Sequence, residues 1–218
     1  MLSAADNELL TRTNSGTPMG EYLRRFWQPV ALSEELPHPD CDPVRVAIMG
    51  EDLLAFRDST GQVGLVSPRC PHRGADLYYG RNEDAGLRCA YHGWKFDVHG
   101  QCLETPTIDS DAAYRAKVCL KSYPTREWGD FVWAWLGPAG AEPALPKLEF
   151  ALFGAEHRVV QKKLQQCNWA QAVEGGLDTA HFSFLHMPAP SVPLGQTAGT
   201  ITQANADQQR LAWMRNDP

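Results

Sequence analysis

Cys70-Pro-His72-Arg-Gly74 and Cys89-Ala-Tyr-His92-Gly-Trp94 together read C-x-H-x16-C-x2-H. Each short loop offers one thiolate and one imidazole, and two such loops can close around a metal centre. Four ligating side chains paired in this way are more than a scatter of buried fillers and surface residues. Two metal readings compete. A zinc ion takes Cys2His2 in one tetrahedral site. A Rieske [2Fe–2S] centre carries two Cys on one iron and two His on the other. The surroundings favour the cluster. Pro71 presets a turn, and Gly74 and Gly93 have no Cβ, so backbone N–H groups can approach the cluster sulfurs and tune its potential. Tyr91 and Trp94 are expected to cover the centre. Arg73 is expected to place a cation that favours the reduced form.

Outward from these loops the chain reads as short strands. Val44–Met49, Leu53–Arg57 and Gln62–Val66 are separated by Gly50-Glu-Asp52 and Asp58-Ser-Thr-Gly61, as in a meander. Lys95–Val98, Gln101–Leu103, Val118–Ser122 and Phe131–Leu136 continue the pattern. Residues 41–145 are therefore taken as a small all-β domain. Residues 1–40 form an N-terminal helical segment: Ser3 and Asp6 read as N-cap and N3 of a helix over 4–12, and Thr17-Pro18 as N-cap and N1 of another. Gly137–Pro146 reads as a linker. A strand at His157–Leu164 opens the last region, 146–218. A helix over Asn168–Leu185 follows, weakened by Gly175-Gly176 at about 2 kcal/mol against alanines and ended by Pro188, Pro190 and Pro193. Gly199–Thr202 and Leu211–Met214 look strand-like.

The 218 residues suffice for one large domain or two modest ones. With 43% hydrophobic and 21% charged residues the chain is globular rather than disordered. A net charge of −6 without a basic run gives no indication of nucleic acid, and no apolar stretch is long enough to cross a membrane. The N-terminus lacks an export signal, so the six cysteines suit a reducing, cytoplasmic setting and metal chemistry better than disulfides. Cys41, Cys102, Cys119 and Cys167 have no ligand partner nearby in sequence and are read as small buried hydrophobes. His38, His99 and His157 are read as facing water, and Trp133 and Trp135 as one face of the β core.

A second constellation, Asp178, His181 and His186, has the spacing D-x2-H-x4-H. On a helix Asp178 and His181 share a face, and His186 can reach the same point. Two imidazoles and a carboxylate make the facial triad of non-haem Fe(II) oxygenases. An electron donor earlier in the chain strengthens that reading, since a donor implies an acceptor.

Cys-Pro-His-Arg-Gly with Cys-x-Tyr-His-Gly-Trp-Lys-Phe-Asp resembles the Rieske domain of ring-hydroxylating oxygenases. Gly16–Leu32 and Cys167–His186 are similar to the phthalate dioxygenase-like subgroup of their alpha (oxygenase) subunits. The resemblance runs from about residue 5 to 190. It implies an α+β fold, with a Rieske-type all-β [2Fe–2S] domain followed by the start of a helix plus antiparallel-sheet catalytic domain. It implies that Cys70, His72, Cys89 and His92 hold the cluster and that His181 and His186 bind mononuclear Fe(II). Asp178 would then bridge to a Rieske His of a neighbouring subunit, and Glu174 would stand near the iron. It further implies a flavin/[2Fe–2S] reductase as electron source, an aromatic substrate and O2, and a homotrimer or homohexamer. The family's third iron ligand is a carboxylate far downstream. This chain has only Asp207 and Asp217 after His186, and a truncated product is the expectation. A Rieske electron carrier without oxygenation, an inactive fragment and a zinc module stand as alternatives.

Overall fold

The computed structural model describes residues 2–186. The chain divides into two compact units, residues 1–164 and 165–218. Both N-terminal caps form as the sequence predicts. The Ser3 hydroxyl accepts the Asp6 N–H ahead of α1 (Ala4–Thr11), and the Thr17 hydroxyl accepts the Gly20 N–H ahead of α2 (Pro18–Leu23).

The strands of the first unit are β1 (Trp27–Leu32), β2 (Val44–Ile48), β3 (Glu51–Arg57), β4 (Val63–Val66), β5 (Arg81–Glu83), β6 (Gly86–Arg88), β7 (Lys95–Phe96), β8 (Cys102–Glu104), β9 (Ser122–Tyr123), β10 (Thr125–Trp128) and β11 (Phe131–Trp135). They make three antiparallel sheets, ordered β1-β11-β10, β2-β3-β4-β9 and β5-β6-β7-β8. The second is the middle layer, and β3 shows why. Its residues alternate between two cores: Leu53 and Ala55 join Val30, Val132 and Ala134 of the first sheet, while Leu54 and Phe56 join Leu87 and Phe96 of the third. A strand buried on both faces reads as a continuous apolar run, as Leu53-Leu-Ala-Phe56 does. Each fully buried Leu or Phe contributes about 1.5–3 kcal/mol.

The fold departs from the sequence reading in several places. Trp27–Leu32, inside the segment read as helical, is a strand paired with β11, and its ladder shifts register between Pro29 and Ala31, where proline has no N–H to give. The β5–β6 hairpin went unread because its turn, Asp84-Ala85, takes positive φ (48° and 58°) without the usual Asn-Gly signal. Val118–Ser122 contributes only an isolated Cys119 bridge to Gln101 and the start of β9. His157–Leu164 forms no strand: a 3-10 turn covers Ala155–His157, and no described strand lies alongside the rest. The 168–185 helix is two helices, α4 (Trp169–Leu177) and α5 (Phe182–Leu185), broken at Asp178 and not at the glycines. A short α3 (Ala112–Arg115) sits behind an Asp111 cap.

Trp133 and Trp135 are buried as expected, but with Trp27 they form a separate cluster against Trp128, Phe131 and Leu145. This cluster pins the linker. Trp27 Nε1 donates to the Pro143 carbonyl at 2.8 Å and Trp135 Nε1 to that of Pro138 at 2.9 Å. Cys41 and Cys102 are buried, whereas Cys119 and Cys167 are exposed, contrary to the reading of all four as core. His38, His99 and His157 face water. Pro188, Pro190, Pro193, Gly199–Thr202, Leu211–Met214, Asp207 and Asp217 lie outside the described residues.

Gly100 closes the β7–β8 turn at φ 79°, and a Cβ there would run into the Leu120 carbonyl oxygen. Gly100→Ala is expected to destabilise the protein by at least about 1 kcal/mol. A lower denaturant midpoint with an unchanged slope is the check.

Candidate metal centre

The two Cys/His loops are built to one plan. In the first, Cys70 N–H donates to the Ala75 carbonyl at 2.9 Å and Gly74 N–H to the Cys70 carbonyl at 2.8 Å. In the second, Cys89 N–H donates to the Trp94 carbonyl at 2.8 Å and Gly93 N–H to the Cys89 carbonyl at 3.0 Å. Each loop turns back through a glycine in the left-handed region, Gly74 at φ 71° and Gly93 at φ 73°. An L side chain is strained there, and at Gly93 a Cβ would also press on the Pro106 ring. The first loop is closed by an Arg69–Asp76 bridge and the second by the β6–β7 ladder.

This plan sets the predicted residues in pairs, cysteine near cysteine and histidine beside histidine. Cys70 and Cys89 are 2% and 3% exposed and lie in one buried core, close enough for each thiol to act on the other. Burial pushes the Cys70 thiol up to about 11, against the pull of the His72 and Arg73 backbone N–H groups aimed at its sulfur. The imidazoles of His72 and His92 lie beside one another with centroids 4.6 Å apart. The His72 pKa is lowered by burial, then by His92 and Arg73. His72 Nδ1 is buried without a hydrogen-bond partner, as a nitrogen reserved for a metal would be. Among the described residues no three metal-binding side chains converge on one ion. A tetrahedral Cys2His2 zinc site needs four donors on one point. Two thiols beside each other and two imidazoles beside each other suit a two-iron cluster.

The expected cover is only half present. Trp94 is buried and stacks on His72 with centroids 4.5 Å apart and planes 1° apart. Tyr91 touches the His92 ring at 3.8 Å between centroids but is 65% exposed. Arg73 is exposed beside His72. Arg88, unnoticed in the sequence, donates to the Gly93 carbonyl at 2.9 Å and so ties down the second loop. Glu83, held between Arg81 and Arg88, has its carboxyl lowered to about 2.

In the second unit, Asp178 and His181 do not share a helix face. Asp178 is the C-cap of α4, with ψ at 109°. Its Oδ1 accepts the Ala180 N–H at 2.8 Å, and its Oδ2 lies 3.2 Å from His181 Nδ1. Its carboxyl is held below the ordinary range by the Ala180 N–H and by His181. The His181 and His186 rings are 5.2 Å apart between centroids. The turn carries His181 back to Asp178, and α5 carries His186 beside His181. Glu174 is exposed on α4, and its carbonyl accepts the Asp178 N–H at 2.9 Å.

The profile of the Rieske [2Fe–2S] domain matches residues 26–124, and that of the LigXa C-terminal domain like family matches residues 134–217. The chain is 46% identical over 186 residues to the phthalate 4,5-dioxygenase oxygenase subunit of Pseudomonas putida, covering 85% of this chain and 42% of that one. It is 41% identical over 187 residues to the 3-chlorobenzoate-3,4-dioxygenase oxygenase subunit of Comamonas testosteroni, covering 86% and 43%. Among solved structures, dicamba monooxygenase bound to 3,6-dichlorosalicylic acid superposes with a TM-score of 0.64 at 28% identity, over 75% of this chain and 47% of that one. The chain thus spans about two-fifths of the length of the curated relatives it matches. Among the described residues no helix is long and apolar enough to cross a membrane. With its α+β fold, the chain carries a Rieske [2Fe–2S] domain followed by a LigXa C-terminal domain like region, and it is similar to oxygenase subunits of Rieske oxygenases such as phthalate 4,5-dioxygenase.

Proposed function

We propose that this chain carries the electron-receiving part of a Rieske-type oxygenase component acting on an aromatic or similar cyclic substrate. Cys70 and Cys89 hold one iron of the cluster, and His72 and His92 the other. His181 and His186 hold mononuclear iron, and Asp178 links the two sites between subunits. The observation that carries this reading is the pair of matching loops with their thiols and imidazoles sorted into two pairs. When bound, the cluster supplies one electron at a time and the mononuclear iron supplies the site of oxygen chemistry. The protein's own contribution is positioning. The Cys70 sulfur receives backbone N–H groups, Trp94 shields one face of His72, and Asp178 orients His181 through Nδ1, which leaves Nε2 for a metal. Electrons would come from a flavin/[2Fe–2S] reductase, and the assembly would be a trimer or hexamer placed in the cytoplasm.

Iron content and spectroscopy test this reading. The purified chain is expected to be red-brown, with about two cluster irons per chain and, on reduction, the paramagnetic signal of a mixed Cys/His [2Fe–2S] centre. Colourless protein holding zinc would refute the cluster assignment. Asp178 stands beside His181, but among the described residues no three donors gather as a metal site there. Mild chelation is therefore expected to strip mononuclear iron and leave only the cluster's. A tightly held third iron would show that a further ligand completes the site.

A further inference from the structure

The sheet that carries the second loop has an unusual row of charges at its mouth. Across β5, β6, β7 and β8 the paired residues are Arg81, Arg88, Lys95 and Glu104. Directly paired residues point to the same face, and like charges directly opposite one another destabilise a sheet. Here three cations stand in succession, and two of them are withdrawn from water: the side chains of Arg88 and Lys95 are 14% and 6% exposed. Two acids answer them. Arg88 Nε donates to Glu83 Oε1 at 2.6 Å and Nη2 to Glu104 Oε2 at 2.8 Å, and Lys95 bridges to Glu104. Arg81 takes the other side of Glu83 at 3.0 Å. Three cations against two carboxylates leave an excess of one positive charge, in a chain whose net charge is −6.

This excess lies at the base of the loop that presents Cys89 and His92. Arg88 immediately precedes Cys89, Lys95 immediately follows Trp94, and the remaining arm of Arg88 holds the Gly93 carbonyl at 2.9 Å. Resting on the assignment of the cluster to these loops, we infer that the Arg81–Arg88–Lys95–Glu104 row is an electrostatic footing for the second loop, which sets the cluster's potential and fixes the position of His92. Reduction adds one electron to the cluster and so one negative charge beside the row. A cation there favours the reduced form and an acid opposes it, and partial burial keeps both effects from being screened away. Arg88 adds a second action, because its rigid planar fork holds two carboxylates and a backbone carbonyl in one fixed geometry, which the compact ammonium of a lysine does not impose. Arg88 is in this sense a positioning residue.

The two actions separate by sign. Spectroelectrochemical titration of the full 218-residue chain gives the ratio of reduced to oxidised cluster at a fixed applied potential. Arg88→Gln is expected to lower that ratio about tenfold, which is about 59 mV for one electron. Glu104→Gln removes an acid from the same row and is expected to raise the ratio about threefold. A merely structural role would not reverse sign between two neutralising substitutions. Arg88→Lys is expected to keep the ratio within about threefold of the parent while losing the cluster faster in chelator, because the charge stays and the fork goes. Should Arg88→Gln not retain its cluster, the upward shift in Glu104→Gln still decides the matter. An unchanged or lowered ratio in Glu104→Gln, or a ratio in a cluster-bearing Arg88→Gln that does not fall, would overturn the footing while the parent's spectrum still upheld the cluster assignment. A parent without that spectrum would overturn the assignment itself.

Discussion

Replacing Cys89 with serine is expected to remove the [2Fe–2S] cluster altogether, and with it the visible absorbance and about two irons per chain. The ligand must be an anion, and a serine hydroxyl does not ionise near neutral pH as a metal-bound thiol does. The neighbouring thiol shows how much the metal has to offset. Burial pushes the Cys70 thiol up to about 11 in the apolar core it shares with Cys89, Leu77, Leu87 and Phe96. Cluster binding and folding of the two loops are therefore coupled, and the serine variant is expected to melt earlier as well as lose its colour. Cys119→Ser is the control. Cys119 is exposed and outside the core around Cys70 and Cys89, so its substitution is expected to leave iron, colour and melting unchanged. A Cys89→Ser protein with the parent spectrum would exclude Cys89 as a ligand.

The proposed centre is legible because its chemistry is written in residue types at short range. Cys70, His72, Cys89 and His92 are residue types that ligate metals, and Gly74 and Gly93 announce tight turns, before any tertiary contact is known. The caps at Ser3 and Thr17 were legible for the same reason, since each is settled within three residues. What escaped was decided at long range. Trp27–Leu32 is a strand because β11, a hundred residues away, offers it a ladder. His157–Leu164 has the composition of a strand but no described partner to pair with. The charge row was invisible because Arg81, Arg88, Lys95 and Glu104 acquire meaning only when the register of four strands aligns them. Arg81, Arg88 and Lys95 recur every seven residues, but that spacing places them on no common face until the register is known.

Asp178 shows both sides of this. Its identity was legible and its setting was not. Read on one helix, it shares a face with His181; in the structure it ends α4, and a turn carries His181 back to it. Its two oxygens already have different duties, Oδ1 on the Ala180 N–H and Oδ2 beside His181 Nδ1. Asp178→Asn keeps the first, because the amide oxygen still caps the turn. It forfeits the second, because an amide NH2 cannot accept a hydrogen bond from an imidazole N–H, and it removes the charge. The turn is therefore expected to survive while the orientation of His181 is lost. Partners that orient metal-bound histidines are worth about ten- to a hundredfold, and the proposed bridge makes Asp178 the link between two imidazoles rather than one. In a version spanning the full length of the relatives, Asp178→Asn is expected to leave the cluster reducible and to slow electron delivery to the mononuclear site by about a hundredfold. The measurement is a single turnover: both sites are reduced beforehand, substrate and O2 are added, and cluster reoxidation is followed by its absorbance. Reoxidation at the parent rate would reduce Asp178 to the cap of a helix, because the substitution leaves the cap intact and takes away only the partner of His181.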